Sequence, residues 1–238
     1  KKYMQESFDG GFNLIYVNDA NGKPLNYVIN QTMMRIDLPS PLKPGQKFVF
    51  NVAWSYKVTN RMTVGGRGGY ETLEDGNNLF TMAQWFPRLC VYSDFQGWQN
   101  KQFTGRGEFA LVFGDYKVHI TVPADHVVGA TGVCQNYPQM LNATQMDRWK
   151  RAQQSDEPIE IVTLEDAKKA MGQKSSAKKT WIYEAKNVRD FAFVSSRRLV
   201  WDALKVKEGI EGNQPMAMSY YGPEAYPLYR RYSTKAVA

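Results

Sequence analysis

The stretch from Met82 to Gln102 concentrates large aromatic rings beside amide and sulfur side chains. Aromatic rings bury large areas, and tryptophan and tyrosine also carry a polar group that requires a hydrogen-bond partner. A stretch of this composition predicts either a crossing of the core or the wall of a binding site. Its rings belong to Trp85, Phe86, Tyr92, Phe95 and Trp98.

The chain has two histidines, His119 and His126. Neither stands in the pattern H-E-x-x-H, which places two zinc ligands on one helix face with a glutamate base between them. The pattern G-x-S-x-G of serine hydrolases does not occur either. His119 falls in a strand pattern and is interpreted as an ordinary histidine. The sequence therefore predicts no catalytic residue and no metal site within this chain.

The two cysteines, Cys90 and Cys134, are too few for a disulfide scaffold or a zinc ribbon. We interpret them as two buried thiols, with a single disulfide as the alternative. A glycine-rich segment, "VGGRGGY" from Val64 to Tyr70, is interpreted as a turn, and a phosphate-binding nest is the alternative.

The elements that must position these residues are mainly strands. Apolar and polar residues alternate in "FNLIYV", "LNYVIN", "MMRIDL" and "KFVFNVAWSYKV", a period that is typical of half-buried strands. The pair Asn21-Gly22 favours a tight reversal between the first two segments. These features predict that the first third of the chain is an antiparallel meander, and "KTWIYEA" predicts a further strand.

Short helices are predicted as insertions in this β framework. One opens at Thr144 with Asp147 in the capping-box position, and a second opens at Thr163 with Asp166 and ends at Gly172. The segment "AYPLYRRYSTKAVA" has tyrosines at helical spacing and predicts one more helix.

Composition limits the classes of function. The chain has 238 residues, of which 43% are hydrophobic, and a formal net charge of +7. No run reaches the roughly 18 apolar residues of a membrane span. The densest basic segment, Lys168 to Lys179, is rich in glycine and serine and predicts a solvated loop, so we expect no nucleic-acid partner. The first residues, "KKYMQESFDGGF", have no apolar stretch, so they predict no signal peptide within this sequence, and the compartment stays open.

Three segments together resemble the amino-terminal domain of zinc aminopeptidases of the aminopeptidase N and leukotriene hydrolase family. They are "MRIDLPSPLKPGQKFVFNVAWSYKV", the long stretch that begins "LFTMAQWFPRLCVYSDFQGWQNKQ", and "KTWIYEAKNVRDFAFVSS". The resemblance covers most of Met33 to Trp201 and is greatest to the bacterial branch, in which a secretion segment often precedes this domain. The resemblance therefore leaves export of the parent protein to the periplasm open.

The resemblance implies a mainly β fold, a saddle-like antiparallel β-sheet or sandwich domain with short helical insertions. It implies that residues 1–196 form the amino-terminal domain and that residues 197–238 open the catalytic domain. The family's zinc motif lies downstream, so zinc belongs to the parent catalytic domain and no cofactor is expected in this chain. The chain alone should be inactive, with its own catalytic domain and peptide substrates as its partners.

The resemblance also implies one substrate-binding residue. In the relatives a glutamine or glutamate in the stretch that matches "LFTMAQ" accepts a hydrogen bond from the free α-amino group of the substrate, and the matching residue is Gln84. Trp85 and Phe86 would pack at its base. The alternative for Gln84 is that it caps a turn. For Tyr92, Phe95 and Trp98 we expect core or interdomain packing, with the lining of a substrate pocket as the alternative.

A different class of protein stays open beside this interpretation. The chain would then be a stand-alone β-sandwich module that binds carbohydrate or peptide through its tryptophans. The solvent exposure of the region around Trp98 would distinguish the two interpretations, because a domain of a larger enzyme needs a covering partner there.

Overall fold

The computed structural model describes residues 8–103, 110–207 and 214–238. Within these residues the chain is mainly β, its ladders are antiparallel and its helices are short, which confirms the predicted fold class. The strands are β1 (Asn13–Asp19), β2 (Tyr27–Asn30), β3 (Met33–Ile36), β4 (Phe50–Ser55), β5 (Gly69–Thr72), β6 (Asn78–Met82), β7 (Tyr92–Ser93), β8 (Gly97–Trp98), β9 (Gly114–Pro123), β10 (Val127–Ala130), β11 (Val133–Cys134), β12 (Ile159–Val162), β13 (Lys178–Val188), β14 (Phe193–Ser196), β15 (Val200–Lys205) and β16 (Met216–Tyr221). The helices are α1 (Tyr137–Met140), α2 (Ala143–Ala152), α3 (Leu164–Met171), α4 (Tyr226–Tyr229) and α5 (Tyr232–Val237).

The chain divides into two compact units. Unit 1 comprises Lys1–Thr59, Thr63–Gly65 and Phe86–Val112. Unit 2 comprises Asn60–Met62, Gly66–Trp85 and Phe113–Ala238. The predicted boundary between residues 196 and 197 concerns the domains of a larger enzyme and stays a prediction.

Unit 1 consists of two-stranded ladders. Strand β1 pairs with β4, β2 with β3, and β7 with β8. The reversal at Asn21-Gly22 is present, and the Gly22 N–H donates to the Asp19 carbonyl at 3.1 Å. The predicted simple meander is wrong, because β1 meets the following segment only at the bridge from Asn18 to Pro24 and then pairs with β4. The Asp19 N–H donates to the Lys23 carbonyl and the Leu25 N–H to the Val17 carbonyl, both at 2.9 Å, and the following segment then leaves β1 to form β2.

The core of unit 1 is small. Among its described residues, the buried ones are Val17 and Leu25. Many large apolar side chains of the unit are exposed, including Ile15, Val49 and Leu89. Unit 1 therefore buries little apolar surface within this chain.

Unit 2 contains the main hydrophobic core and three sheets. Their strand orders are β10-β14-β6-β5, β11-β13-β9 and β12-β15-β16. Trp181, Tyr183, Phe191 and Trp201 are almost completely buried. The ring of Trp201 stacks on Tyr220 with a centroid distance of 5.3 Å. Buried aromatic rings of this size contribute much of the stability of a core.

Two of the predicted helices are present as α2 and α3. In α3 the Thr163 side chain accepts the Asp166 N–H, and the Asp166 side chain accepts the Thr163 N–H. The predicted capping box is therefore confirmed, and so is the end of the helix at Gly172. Each side of this box satisfies an N–H group that has no partner within the helix.

Helix α2 begins two residues earlier than predicted. Its N-cap is Asn142 instead of Thr144, and Gln145 completes the capping box instead of Asp147. The Asn142 Oδ1 atom accepts the Gln145 N–H at 2.9 Å. Asparagine is a better N-cap than threonine, which accounts for the shift.

The predicted single helix near the carboxyl end is divided into α4 and α5. Between them Arg231 has a φ of 58°. The Arg231 N–H donates to the buried Asp202 carboxylate at 2.9 Å, so this peptide group leaves the helical path. The Tyr221 hydroxyl donates to the same oxygen atom at 2.8 Å. Burial raises the pKa of Asp202 above its ordinary value, although these two donors oppose the shift.

This raised pKa predicts a pH-dependent contribution to stability. The folded state binds the Asp202 proton more tightly than the unfolded state, so the contribution is present at low pH and is lost as pH rises through the folded pKa. Asp202→Asn removes the titrating group and keeps an oxygen acceptor. We expect the free energy of unfolding of the variant, relative to wild type, to increase from pH 4 to pH 7 in urea titrations. A difference that stays constant over this range would contradict the assignment.

Two consecutive arginines follow β14 and bind acidic side chains of three separate loops. The Arg197 Nε atom lies 2.9 Å from the Asp125 Oδ2 atom. Arg198 Nη1 lies 2.9 Å from Asp75 Oδ1, and its Nη2 atom donates to Glu224. Both arginine side chains are nearly buried. These ion pairs connect the turn after β14 to the β5–β6 turn, the β9–β10 turn and the segment after β16.

Both cysteines are free thiols, so the alternative of a single disulfide is not supported. Cys134 is buried as predicted, and burial raises the pKa of its thiol. Cys90 is only half-buried, and its Sγ atom lies 3.8 Å from the Met33 Sδ atom.

Candidate functional site

Gln84 lies two residues after the end of β6 in unit 2, and it is exposed. Its φ is 55°, in the left-handed region that few residues other than glycine adopt. Among the described residues, no hydrogen bond or ion pair engages the Gln84 carboxamide. The group is therefore open to a ligand.

Trp85 is fixed to the segment that leads into β14 and to the first residue of that strand. Its indole Nε1–H donates to the Phe191 carbonyl at 3.0 Å. Its ring meets the Phe193 ring edge-on, with a centroid distance of 5.6 Å. Phe193 in turn stands opposite Met82 in the β14–β6 ladder. The residue after Gln84 is thus held by both a hydrogen bond and a ring contact.

Phe86 belongs to unit 1, because the division of the chain falls between Trp85 and Phe86. Within that unit the Arg88 guanidinium lies over the Phe86 ring, 5.2 Å from its centroid. The structure therefore places Gln84 and Trp85 next to each other in unit 2, whereas Phe86 belongs to unit 1. The roles of all three in substrate binding stay predictions.

An open cleft of about 330 Å³ lies beside Gln84 on the sheet of β10, β14, β6 and β5. Its lining is mainly apolar and includes Met82, Ala83, Phe193 and Tyr220. Ala83, which directly precedes Gln84, belongs to this lining. Small-molecule sites commonly combine an apolar wall of this size with a few polar groups. The cleft and the Gln84 carboxamide together form the candidate site.

The cleft depends on a close approach of a ring to the backbone of β10. A Cβ atom at Gly129 would lie 2.5 Å from the Tyr220 Cε2 atom. Tyr220 cannot easily move away, because its ring stacks on buried Trp201. Glycine is therefore needed at this position.

Gly129→Ala should lower the free energy of unfolding by about 1–2 kcal/mol, because it overpacks the contact with Tyr220. The measurement is urea unfolding of both proteins. Gly114→Ala is the matched control, since the nearest atom to a Cβ there is Tyr116 Cε2 at 4.0 Å. An equal effect of the two substitutions would contradict this account of Gly129.

His126 is buried and contacts a serine, which the sequence analysis did not predict. Its Nδ1 atom lies 3.0 Å from the Ser195 Oγ atom. Both residues are nearly inaccessible to solvent, at 5% and 2% exposure. Burial lowers the pKa of His126 to about 4, and the charge of Arg197 adds to this effect. The pair resembles part of a hydrolytic site in composition, but its burial leaves no access for a substrate.

Metal binding finds no support in the described residues. No group of three histidine, cysteine, aspartate or glutamate side chains there could hold a metal ion. In the described ranges, none of the helices is long and apolar enough to cross a membrane.

The second half of the aromatic stretch forms an exposed hairpin of β7 and β8 in unit 1. Tyr92, Phe95 and Trp98 are 63%, 79% and 61% exposed. The Tyr92 and Trp98 rings meet edge-on at 5.2 Å between centroids. Core packing within this chain is therefore wrong for these three residues, because a two-residue ladder provides no second layer to cover them.

Sequence reasoning also missed the residues that build the cleft. Tyr220 and Gly129 are far apart in sequence, and no local pattern joins them. A local signal did exist for Arg67, which also lines the cleft and lies in the glycine-rich segment Val64 to Tyr70. That segment includes the start of β5, so its interpretation as a turn is correct only in part.

The sequence matches no protein-family profile and no curated protein. Among solved structures, the chain is similar to an M1 zinc metallopeptidase from Deinococcus radiodurans, with 13% identity and a TM-score of 0.48. The match covers 90% of this chain and 38% of that one. A mutant of that enzyme bound to a Tyr-Ser-Ala substrate matches with 13% identity, a TM-score of 0.47 and the same coverage. At these values the likeness establishes no family.

Proposed function

We propose that this chain is the non-catalytic amino-terminal domain of a zinc aminopeptidase and that Gln84 anchors the free amino terminus of peptide substrates. The observation that carries the proposal is Gln84 itself, which is exposed and held in a left-handed conformation beside an apolar cleft. Polar residues in unfavourable backbone conformations cluster at functional sites. The sequence segment that contains Gln84 also provides the most specific part of the family resemblance.

The chemistry of a carboxamide suits this task. The Gln84 oxygen can accept a hydrogen bond from an ammonium group, and it does not require a second charge. Such charge-assisted bonds are stronger than those between neutral groups. A group that binds the free α-ammonium would measure the distance from the end of the peptide to the scissile bond. Trp85 and Phe86 would support this site by packing at its base.

The proposal also assigns the domains of the parent enzyme. Residues 1–196 would form the amino-terminal β domain, and residues 197–238 would open the catalytic domain. That catalytic domain would be the partner of this chain and would supply the zinc ligands, the base and the bound zinc. The reading frame after Ala238 should therefore encode H-E-x-x-H and a later glutamate.

The test of Gln84 uses the intact protein and an alanyl anilide as substrate. Gln84→Ala should raise KM and lower kcat/KM about tenfold to a hundredfold, because a hydrogen bond to a charged group is lost. Gln84→Glu should retain most of the activity, since a carboxylate also accepts from an ammonium. Gln96→Ala, at an exposed glutamine of the β7–β8 hairpin, is the control. Unchanged kinetics of Gln84→Ala would remove the assigned role.

A module that binds carbohydrate or peptide is the second candidate. The exposed pair of Tyr92 and Trp98, with Phe95 between them in sequence, favours it, because aromatic side chains dominate many binding sites. Titration with cellohexaose and with trialanine, followed by tryptophan fluorescence, tests this function. Binding that is lost in Trp98→Ala would support it, and the absence of any fluorescence change with either probe would contradict it.

A further inference from the structure

We infer that Gly68 and Trp85 are positioning residues that together hold Gln84 in its left-handed conformation, an inference that rests on the proposed function of Gln84. Neither residue needs to contact a ligand for this role. They act on the backbone immediately before and after Gln84, and so determine the direction in which its carboxamide leaves the chain.

The conformation of Gln84 requires an external cause. Residues with a Cβ atom avoid a φ near 55°, since the Cβ atom approaches a carbonyl oxygen there. Asparagine and aspartate partly compensate by forming local side-chain hydrogen bonds, but glutamine has no such preference. The Gln84 carboxamide makes no hydrogen bond within the described residues that could provide the compensation. The neighbouring residues must therefore impose the conformation.

Gly68 restricts the backbone on the amino-terminal side of Gln84. A Cβ atom at position 68 would lie 2.8 Å from the Ala83 carbonyl oxygen and 3.2 Å from the Ala83 nitrogen. These distances are shorter than ordinary contacts, so only glycine allows the two backbone segments to approach so closely. The peptide group between Ala83 and Gln84 therefore lies directly against the segment that leads into β5, in a position that a side chain at residue 68 would displace.

Trp85 restricts the carboxyl-terminal side. Its Nε1–H bond to the Phe191 carbonyl measures 3.0 Å, and its ring packs on Phe193 at 5.6 Å between centroids. A tryptophan fixed at both its ring and its N–H has little freedom to turn. Because Phe193 pairs with Met82, the contacts of Trp85 lead back to the β6–β14 ladder, whereas Gly68 lies next to the β5–β6 ladder.

Fixing both neighbours determines the orientation of the residue between them. With Ala83 and Trp85 held against one sheet, Gln84 can connect them only through the left-handed conformation. The direction of its side chain is then set before any ligand arrives. A group that is ordered in advance binds more tightly, because less conformational entropy is lost on binding.

A double-mutant cycle measured by thermal unfolding tests the inference independently of any activity. Gln84→Gly relieves the strain and should raise the melting temperature by about 2–4 °C. In the background of Trp85→Phe, which keeps a ring but cannot donate to Phe191, Gln84 can relax. The gain from glycine should then fall to less than half. Additive effects, or no gain from Gln84→Gly in the wild-type background, would overturn the inference.

Gly68→Ala provides the second background and covers the case in which Trp85→Phe does not fold. It disturbs Ala83 from the other side and should also reduce the gain from Gln84→Gly. The matched control is Gln31→Gly, at a glutamine with a φ of 54° in unit 1. The change in melting temperature caused by Gln31→Gly should be the same with tryptophan or phenylalanine at position 85.

Kinetics of the intact protein separate this inference from the proposed function. Trp85→Phe should raise KM for the alanyl anilide severalfold with little change in kcat, as expected for a residue that orients a binding group. If Gln84→Ala leaves the kinetics unchanged, the proposed function fails, although the unfolding cycle can still succeed. If Gln84→Ala is impaired and Trp85→Phe is not, the positioning role fails and the proposed function survives.

Discussion

Arg198→Met should lower the free energy of unfolding of unit 2 by about 1–3 kcal/mol, because it removes a nearly buried arginine that hydrogen-bonds to two carboxylates. The Arg198 side chain is 7% exposed and joins Asp75 to Glu224. Burial alone would raise the pKa of Asp75, but hydrogen bonds from Asn77 and the charge of Arg198 outweigh burial and lower it. Methionine would fill much of the same volume, so the expected loss comes mainly from the hydrogen bonds of Arg198 to Asp75 and Glu224.

The measurement for Arg198 is urea unfolding at pH 7. Lys207→Met is the matched control, because Lys207 pairs with Asp156 while both side chains are largely exposed. Such a surface pair contributes about 0–1 kcal/mol. A loss at Arg198 that is no greater than the loss at Lys207 would show that the network contributes no stability.

His126→Asn should remove most of an acid-induced loss of stability in the wild-type protein. The pKa of His126 falls from 6.5 to about 4 on folding, because the ring is buried near Arg197. Below pH 6.5 the unfolded chain takes up a proton that folded His126 does not bind, so stability falls as pH decreases from 6.5 to 4. One pH unit corresponds to about 1.4 kcal/mol, which gives about 2–3 kcal/mol after allowance for solvent screening.

The experiment compares free energies of unfolding at each pH between 4 and 7. Asparagine places an amide group near the position of the imidazole Nδ1 atom and can keep a hydrogen bond to Ser195. The difference between variant and wild type is the quantity of interest, since Asp202 titrates with the opposite sign. In His119→Asn, which removes the exposed histidine of β9, the acid-induced loss should persist. If His126→Asn loses as much free energy of unfolding as wild type between pH 6.5 and pH 4, the loss comes from other titrating groups.

Local patterns predicted much of the fold. The alternation around Phe50 to Ser55 identified β4, and Thr163 with Asp166 identified the start of α3. Both signals lie within a few residues of the structure they specify, since strand faces and helix caps are local features. The shift of α2 to Asn142 shows the limit of this approach, because two suitable caps lay two residues apart and the better one prevailed.

Features that depend on distant residues could not be predicted in this way. The burial of His126 requires Ser195, and the break at Arg231 requires Asp202. The left-handed conformation of Gln84 is, by our inference, set by its neighbours, since Ala83 lies against Gly68 and Trp85 donates to Phe191. The family resemblance identified Gln84 as a candidate residue, whereas its backbone conformation is visible only in the folded chain.

Unit 1 has a small core and should therefore open locally more readily than unit 2. With Val17 and Leu25 as the buried apolar residues among those described in this unit, few contacts oppose local opening. Backbone amides of β2 and β3 should exchange with deuterated solvent much faster than those of β13 and β15 in the core of unit 2. Amide exchange would therefore resolve two levels of protection in one chain, and the ladder of β1 and β4 would become accessible to proteases first.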